Sequence, residues 1–176
     1  VEEHLKATDG ATVPDLLRFG MLMQLPETMD RSEYYGRGPV ENYIDRKVSQ
    51  NVYIWSQTAD EQFYPYIRPQ ETGTKSDIRW WRQTDAGQRG LLVYATSPTL
   101  FYASALHYDQ EELDEGEEKH QRHATELKKS RFTNLFIDGE HAGVGGINSW
   151  GAQPLDEHRV HYGDKTFTFT LSPFLP

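Results

Sequence analysis

Two segments of this sequence gather polar side chains among residues that free or fix the backbone. The first, GRGPVENYIDRK from Gly36 to Lys47, places Glu41, Asn42, Asp45 and Arg46 just after Gly36, Gly38 and Pro39. The glycines allow backbone angles closed to other residues, and proline fixes its own φ. The segment therefore offers carboxylates, an amide and a guanidinium within a few residues of one another. The second, GVGGINSWG from Gly143 to Gly151, surrounds Asn148, Ser149 and Trp150 with glycines. A Trp on a glycine-rich loop is poorly placed for a core and well placed to stack on a ligand. Anchoring the loop is an equal alternative, because an indole has both an apolar body and an N–H.

Other clusters carry weaker chemistry. His120 and His123 in KHQRH could put two imidazoles on one helical turn beside a metal. No HExxH pattern accompanies them, and the surrounding charges favour a solvated or strand-edge pair. The run Glu111, Glu112, Asp114, Glu115, Glu117 and Glu118 lacks the alternating oxygen donors and central Gly of a Ca²⁺ loop, so it reads as a solvated acidic face. The glycines from Gly143 to Gly146 make a weak phosphate cradle, since nothing there opens a helix. Glycoside chemistry needs two carboxyl groups at a set separation across one bond, and no pair is singled out by its spacing.

The 176 residues suit one domain, taken as 1–176. The absence of cysteine removes disulfide and thiolate chemistry but leaves the compartment open. The formal net charge of −9 disfavours both nucleic acid and an anionic membrane surface. There is no apolar run of spanning length and no signal-peptide pattern. Aromatic residues make up 12% of the chain, alongside 14 Gly and 9 Pro, which points to β structure with frequent turns. Filling a β core is the favoured use of those rings, and stacking on sugar faces is the rarer one.

The elements that would position the two segments are strands. Residues 1–16 read as irregular. LRFGMLMQL, Leu17 to Leu25, reads as a strand ended by Pro26, and Tyr35 to Arg46 as a long ordered loop. Val52 to Trp55 suggests a short extended piece, and Tyr64-Pro65-Tyr66 with Arg68-Pro69 a proline-punctuated one. Ile78 to Gln83, Gly90 to Thr96 and Leu100 to Leu106 follow as strands separated by Asp85-Ala86-Gly87 and Ser97-Pro98. One helical turn capped by Asp109 is expected between Asp109 and Glu118. Thr133 to Asp138 is the next strand, with Asp138-Gly139 as a hairpin turn. Lys165 to Leu171 alternates strictly, which puts Phe167, Phe169 and Leu171 on one face. The sum is an all-β chain, a sandwich or larger layered β structure.

Several segments, in order, resemble the last domain of the bacterial β-galactosidases of glycoside hydrolase family 2, often called the small chain. They are YYGRGPVENYIDRK (Tyr34 to Lys47), YPYIRPQETGTKSDIRWW (Tyr64 to Trp81), HYDQEEL (His107 to Leu113), KHQRH (Lys119 to His123) and FIDGEHAGVGGINSWG (Phe136 to Gly151). The resemblance runs from Phe19 to Leu171. It implies an antiparallel β supersandwich like that of galactose mutarotase. A complete small-chain domain is longer than this chain, so its N-terminal strands are expected to be absent, and the start at Val1 without an initiator Met agrees with a piece of a longer polypeptide.

The resemblance further implies retaining hydrolysis of terminal β-D-galactosides by the full-length enzyme, in which one Glu protonates the leaving oxygen and another forms the galactosyl-enzyme. Both belong to an earlier (β/α)₈ barrel domain, so no catalytic residue is assigned in this chain and the isolated chain is expected to be inactive. The resemblance assigns Trp150, Asn148 and Glu41 to substrate, with Trp150 stacking on the sugar. It assigns Gly38, Pro39, Glu41, Asn42, Tyr43, Asp45 and Arg46 to a mobile loop, with Gly38 as a candidate hinge and Glu41 as a latch or positioning group. Ile147 and Asn148 stand where related enzymes often carry acidic residues. For Asp45 and Arg46 a salt bridge within the loop is preferred.

No cofactor or metal is assigned to the chain, and the Mg and Na ions implied for the parent enzyme are placed mainly in other domains. The implied partners are the β-galactoside, the remaining domains of the same polypeptide and, for the parent, further copies in a homo-oligomer. The compartment is left as bacterial cytoplasm or periplasm. Two rival functions remain, an independent carbohydrate-binding module and a mutarotase-type epimerase using a His such as His107 or His120.

Overall fold

The structure is a computed structural model that describes residues 1–116, 120, 122–146, 148 and 150–176. Its strands are β1 (Glu2–Leu5), β2 (Arg18–Pro26), β3 (Arg31–Gly38), β4 (Asn51–Thr58), β5 (Lys75–Ile78), β6 (Trp80–Thr84), β7 (Gly90–Ala95), β8 (Phe101–Leu106), β9 (Phe132–His141) and β10 (Lys165–Phe174). Among the described residues two single-turn α-helices, α1 (Ala59–Gln62) and α2 (Gln110–Leu113), and two 3₁₀ turns, Ala124–Glu126 and Asp156–His158, interrupt them. One sheet has six strands in the order β1-β10-β7-β6-β3-β4, and the other has four in the order β2-β9-β8-β5. The strand pairs are antiparallel, as in a β-sandwich.

Alternation builds the core. Tyr34, Trp81, Val93, Phe167 and Phe169 point inward from the six-stranded sheet and meet Leu25, Ile78, Phe101, Ala103, Ala105, Leu135 and Ile137 from the other. Tyr34 and Trp81 are cross-strand partners whose rings stack 4.7 Å apart at 11°. The strict alternation of Lys165 to Leu171 does bury Phe167 and Phe169, and Leu171 packs partly buried beside them.

Four expectations about the strands are corrected. The start is not wholly irregular, because Glu2–Leu5 pairs with β10. Tyr35 to Gly38 is strand rather than loop, pairing residue for residue with Asn51 to Ile54. Ile78 to Gln83 is not one strand. The chain crosses from the four-stranded to the six-stranded sheet at Arg79, just after Asp77 adopts a positive φ of 54°. Switching sheets at such an irregularity lets one hydrophobic run serve both layers. Asp138-Gly139 is no hairpin turn but lies inside β9. A Cβ on Gly139 would come within 2.5 Å of the Phe167 ring, so this glycine permits close approach between strand and side chain.

The expected helical turn exists as α2, but the Asp109 side chain does not cap it. Its Oδ1 accepts instead from Asn134 Nδ2 at 3.1 Å. The better-capped turn is α1, where Thr58 and Glu61 form a capping box.

Candidate functional site

The loop after β3 dives back into the protein. Pro39 and Val40 are exposed at its crest, after which Glu41, Asn42 and Tyr43 are buried. Asn42 fixes the descent. Its Nδ2 donates to the carbonyls of Arg37 (3.1 Å) and Val40 (2.9 Å), and its Oδ1 accepts from the Ser76 N–H (3.0 Å) and hydroxyl (2.5 Å). One amide side chain thus ties the loop to the start of β5.

Glu41 does the same on the other flank. Oε1 accepts from Arg46 Nη2 at 2.6 Å and from the Tyr66 hydroxyl, and Oε2 accepts from Thr72 Oγ1 at 3.1 Å and the Gly73 N–H at 2.8 Å. Both carboxylate oxygens are used within the chain. Lys75 is buried close by and donates to the Gly73 carbonyl at 2.6 Å. Burial pushes its ammonium down to about 7, against the attraction of Glu41.

The preferred Asp45–Arg46 salt bridge does not form. Arg46 reaches Glu41, and Asp45 turns the other way. Its Oδ2 accepts from the Gly145 N–H at 2.7 Å and its Oδ1 from the Val144 N–H at 3.3 Å. The two glycine-bearing segments, about a hundred residues apart in sequence, therefore meet at one carboxylate. The base of the second is held as well, because the Ala142 N–H donates to Leu17 O (2.9 Å) and the Gly143 N–H to His158 O (2.7 Å).

Trp150 is 91% exposed. Asn148, also exposed, accepts the Trp150 N–H on Oδ1 at 2.8 Å, so its side chain shapes the turn that carries the indole. Ile147 and Ser149 lie outside the described residues.

Behind these loops sits a cluster built around Glu71 of YPYIRPQETGTKSDIRWW, a residue that local spacing does not single out. The Arg18 guanidinium donates to Glu71 Oε2, while Glu71 Oε1 accepts from Thr74 Oγ1 (2.7 Å) and Tyr43 Oη (3.3 Å). His141 lies against the Tyr43 ring, 5.3 Å between centroids, with Nε2 3.7 Å from Glu71. Burial would raise the Glu71 carboxyl, but His141 and Arg18 outweigh it and hold it at about 2. Asp138 behaves oppositely. Its burial prevails over the nearby Arg18 and His141 charges and lifts it to about 6. Asp138 Oδ2 and Arg18 Nη1 lie 3.4 Å apart and neither makes a hydrogen bond. A depression of about 90 Å³ opens beside the cluster, bordered by Leu17, Arg18, Glu71, His141 and Gly143. Sequence spacing could not show this group, since its members come from β2, β9 and two loops.

The remaining candidates do not converge. His120 Nδ1 lies 3.3 Å from Glu115, whereas His123 Nδ1 faces the Ile67 carbonyl at 3.2 Å. Among the described residues no group of three or more His, Cys, Asp or Glu side chains could hold a metal ion. Of the acidic run, Glu112 and Glu115 are not merely solvated but pair with Arg122 at 2.7 and 2.9 Å. Glu117 and Glu118 lie outside the described residues. His107 is buried, with Nδ1 3.3 Å from the Phe132 carbonyl. Among the described residues no helix is long and apolar enough to cross a membrane.

Two antiparallel sheets closed over an apolar core, with a braced loop cluster at one margin, define the chain as a β-sandwich protein. It belongs to the beta-galactosidase small-chain family, whose profile matches residues 1–171. It is 34% identical over 175 residues to a beta-galactosidase of Priestia megaterium, covering 98% of this chain and 16% of that protein. It is 35% identical over 171 residues to a beta-galactosidase of Vibrio cholerae, covering 97% of this chain and 15% of that protein. A beta-galactosidase of Halalkalibacterium halodurans is 30% identical over 164 residues, 93% of this chain and 16% of that protein. The chain thus spans about one sixth of the length of the curated relatives it matches.

Proposed function

We propose that this chain is a non-catalytic portion of a longer β-galactosidase and forms one wall of the pocket that receives a terminal β-D-galactoside. The observation that carries this is Trp150, a large apolar side chain held 91% exposed on a loop that is itself hydrogen-bonded to a buried brace. An indole left in water on a fixed support presents a flat face to the C–H-rich side of a pyranose. Covering that face on binding removes apolar surface from water and orients the sugar.

The acid and the nucleophile of a retaining glycoside hydrolysis belong, in this reading, to a (β/α)₈ barrel elsewhere in the polypeptide. The small chain supplies position and dryness rather than proton transfer. The barrel and other domains are its partners, and further strands from the same polypeptide would extend the two sheets into a larger, mutarotase-like supersandwich. Asn148 holds the Trp150 turn through Oδ1, and in this reading its amide N–H groups donate to a sugar hydroxyl.

Glu41 serves as a latch. Because it and Asn42 tie the loop to residues 66–76, the segment containing Gly38, Pro39, Tyr43, Asp45 and Arg46 moves only together with that neighbour, unless the latch opens.

The test is kinetic, on the longer β-galactosidase that contains this segment. Trp150→Ala should raise the Michaelis constant for a chromogenic β-galactoside roughly tenfold, the scale of about 1.4 kcal/mol of lost binding, and change kcat much less. An unchanged Michaelis constant removes Trp150 from the pocket. The isolated chain should show neither turnover nor saturable galactose binding by Trp fluorescence, and saturable binding would favour an independent carbohydrate-binding module.

A further inference from the structure

We infer that Asp45 is a positioning residue, and that its carboxylate sets where the Trp150 loop stands relative to the sugar. This rests on the pocket-wall reading above, and adds to it the one group that transmits the position of the buried brace to the exposed indole.

The geometry is specific. Asp45 is partly buried at the end of the loop whose preceding residues, Glu41, Asn42 and Tyr43, are locked by hydrogen bonds and packing. Its two oxygens accept from the N–H groups of Val144 and Gly145, alternate ends of one carboxylate to successive amides. A carboxylate gripping two backbone donors makes charge-assisted bonds, about twice as strong as neutral ones. The same contact accounts for two of the loop's glycines. A Cβ on Gly143 would lie 2.5 Å from Asp45 Oδ2 and one on Gly145 would lie 3.0 Å from it. Neither has the left-handed backbone for which glycine is otherwise needed, so what their missing side chains provide is room for the carboxylate. Glycine-rich sequence here records an acceptor coming close, which is a different reason from loop flexibility.

A loop with three glycines between 143 and 146 has little preference of its own for one conformation. Its base is fixed by the bonds from Ala142 and Gly143, and its far limb carries Trp150 on the Asn148 turn. Asp45 pins the stretch between. Without it the indole would sample several positions, and sugar binding would have to select one of them. That cost appears in binding and not in the chemical step.

The experiment is a double-mutant cycle in the longer β-galactosidase, with Asp45→Ala, Trp150→Ala and both together, read as KM and kcat for a β-galactoside. Asp45→Ala alone should raise KM about three- to tenfold with kcat within about twofold. In the Trp150→Ala background it should change KM by less than about twofold, because its effect passes through the indole. Asp45→Asn, which keeps an oxygen acceptor, should recover part of the loss. Gly143→Ala, which displaces the carboxylate, should imitate Asp45→Ala. An Asp45→Ala effect that is equally large with and without Trp150 overturns the inference and leaves the pocket wall standing. If Trp150→Ala itself has no effect on KM, the pocket-wall reading fails and the inference fails with it. Hydrogen exchange at the Gly145 amide of the isolated chain gives an independent check. Faster exchange in Asp45→Ala is expected, and unchanged exchange shows that the carboxylate does not hold the loop.

Discussion

The two glycine-bearing loops look alike in sequence and are opposites in structure. From Gly36 to Lys47 the polar side chains turn inward, and Glu41 and Asn42 together make eight hydrogen bonds to other groups. From Gly143 to Gly151 it is the backbone that is held, by Asp45 and His158, while the large side chain faces water. One loop is a buried polar brace and the other a display. Stability should therefore concentrate in the first, and any contact with a ligand in the second. The comparison teaches that glycine near polar residues has no single meaning. Gly38 lies against the Tyr34 hydroxyl and the Trp55 ring, whereas Gly143 makes room for a carboxylate.

The sharpest way to break the comparison is to cut the brace. Glu41→Ala removes the acceptor for the Gly73 N–H, the Thr72 hydroxyl, the Tyr66 hydroxyl and Arg46 in a site only 5% exposed at the carboxylate side chain. Leaving buried donors without partners costs about 1–3 kcal/mol per group, so a loss of about 3 kcal/mol is expected in urea unfolding. A loss below about 1 kcal/mol would show that the loop is not a brace.

A second test uses pH at the cluster behind the loops, where two carboxyl groups are pulled in opposite directions. Asp138 is raised to about 6 in the folded chain, so its favourable contribution is complete below its ordinary value near 4 and is lost as pH rises through 6. Glu71, lowered to about 2, contributes above its ordinary value of 4.5 and loses that contribution as pH falls toward 2. Asp138→Asn cannot ionise. Between pH 4 and 7 the parent chain should lose about 2 kcal/mol of stability relative to this variant. Glu71→Gln should instead cost least below pH 2 and most above pH 5. Parallel stability curves for the parent and Asp138→Asn across pH 4–7 would place Asp138 in a solvated setting.

Much of this architecture was legible beforehand, for reasons that can be stated residue by residue. Period-two alternation in KTFTFTL and the cross-strand apolar runs announce strands because burial on one face demands it. Legibility fails where a non-local contact decides. Asp138-Gly139 has turn chemistry, yet a strand passes through it because Phe167 needs the space over Gly139. Arg79 gives no local sign that the chain changes sheets there. Asp45 and Arg46, adjacent in sequence and opposite in charge, suggest each other as partners, but their side chains leave in different directions toward residues that no local pattern names. Glu71 and His141 are likewise invisible as a pair until folding brings β9 against the loop before β5. The order of the longer motifs revealed the family where spacing could not reveal these contacts.

The smallest expected effect completes the contrast. Trp150→Ala removes an indole that is 91% exposed and supports nothing in the core, so the urea midpoint of the isolated chain should move by no more than about 0.5 kcal/mol in equivalent stability. The same substitution is the one expected to weaken galactoside binding in the longer enzyme. A residue that matters for binding and not for folding is what a display loop requires. A loss of about 2 kcal/mol or more would mean that the indole packs against the sandwich in solution, as a loop anchor does. The distinction between brace and display would then collapse at its exposed end, while the buried end, resting on Glu41 and Asn42, would be untouched.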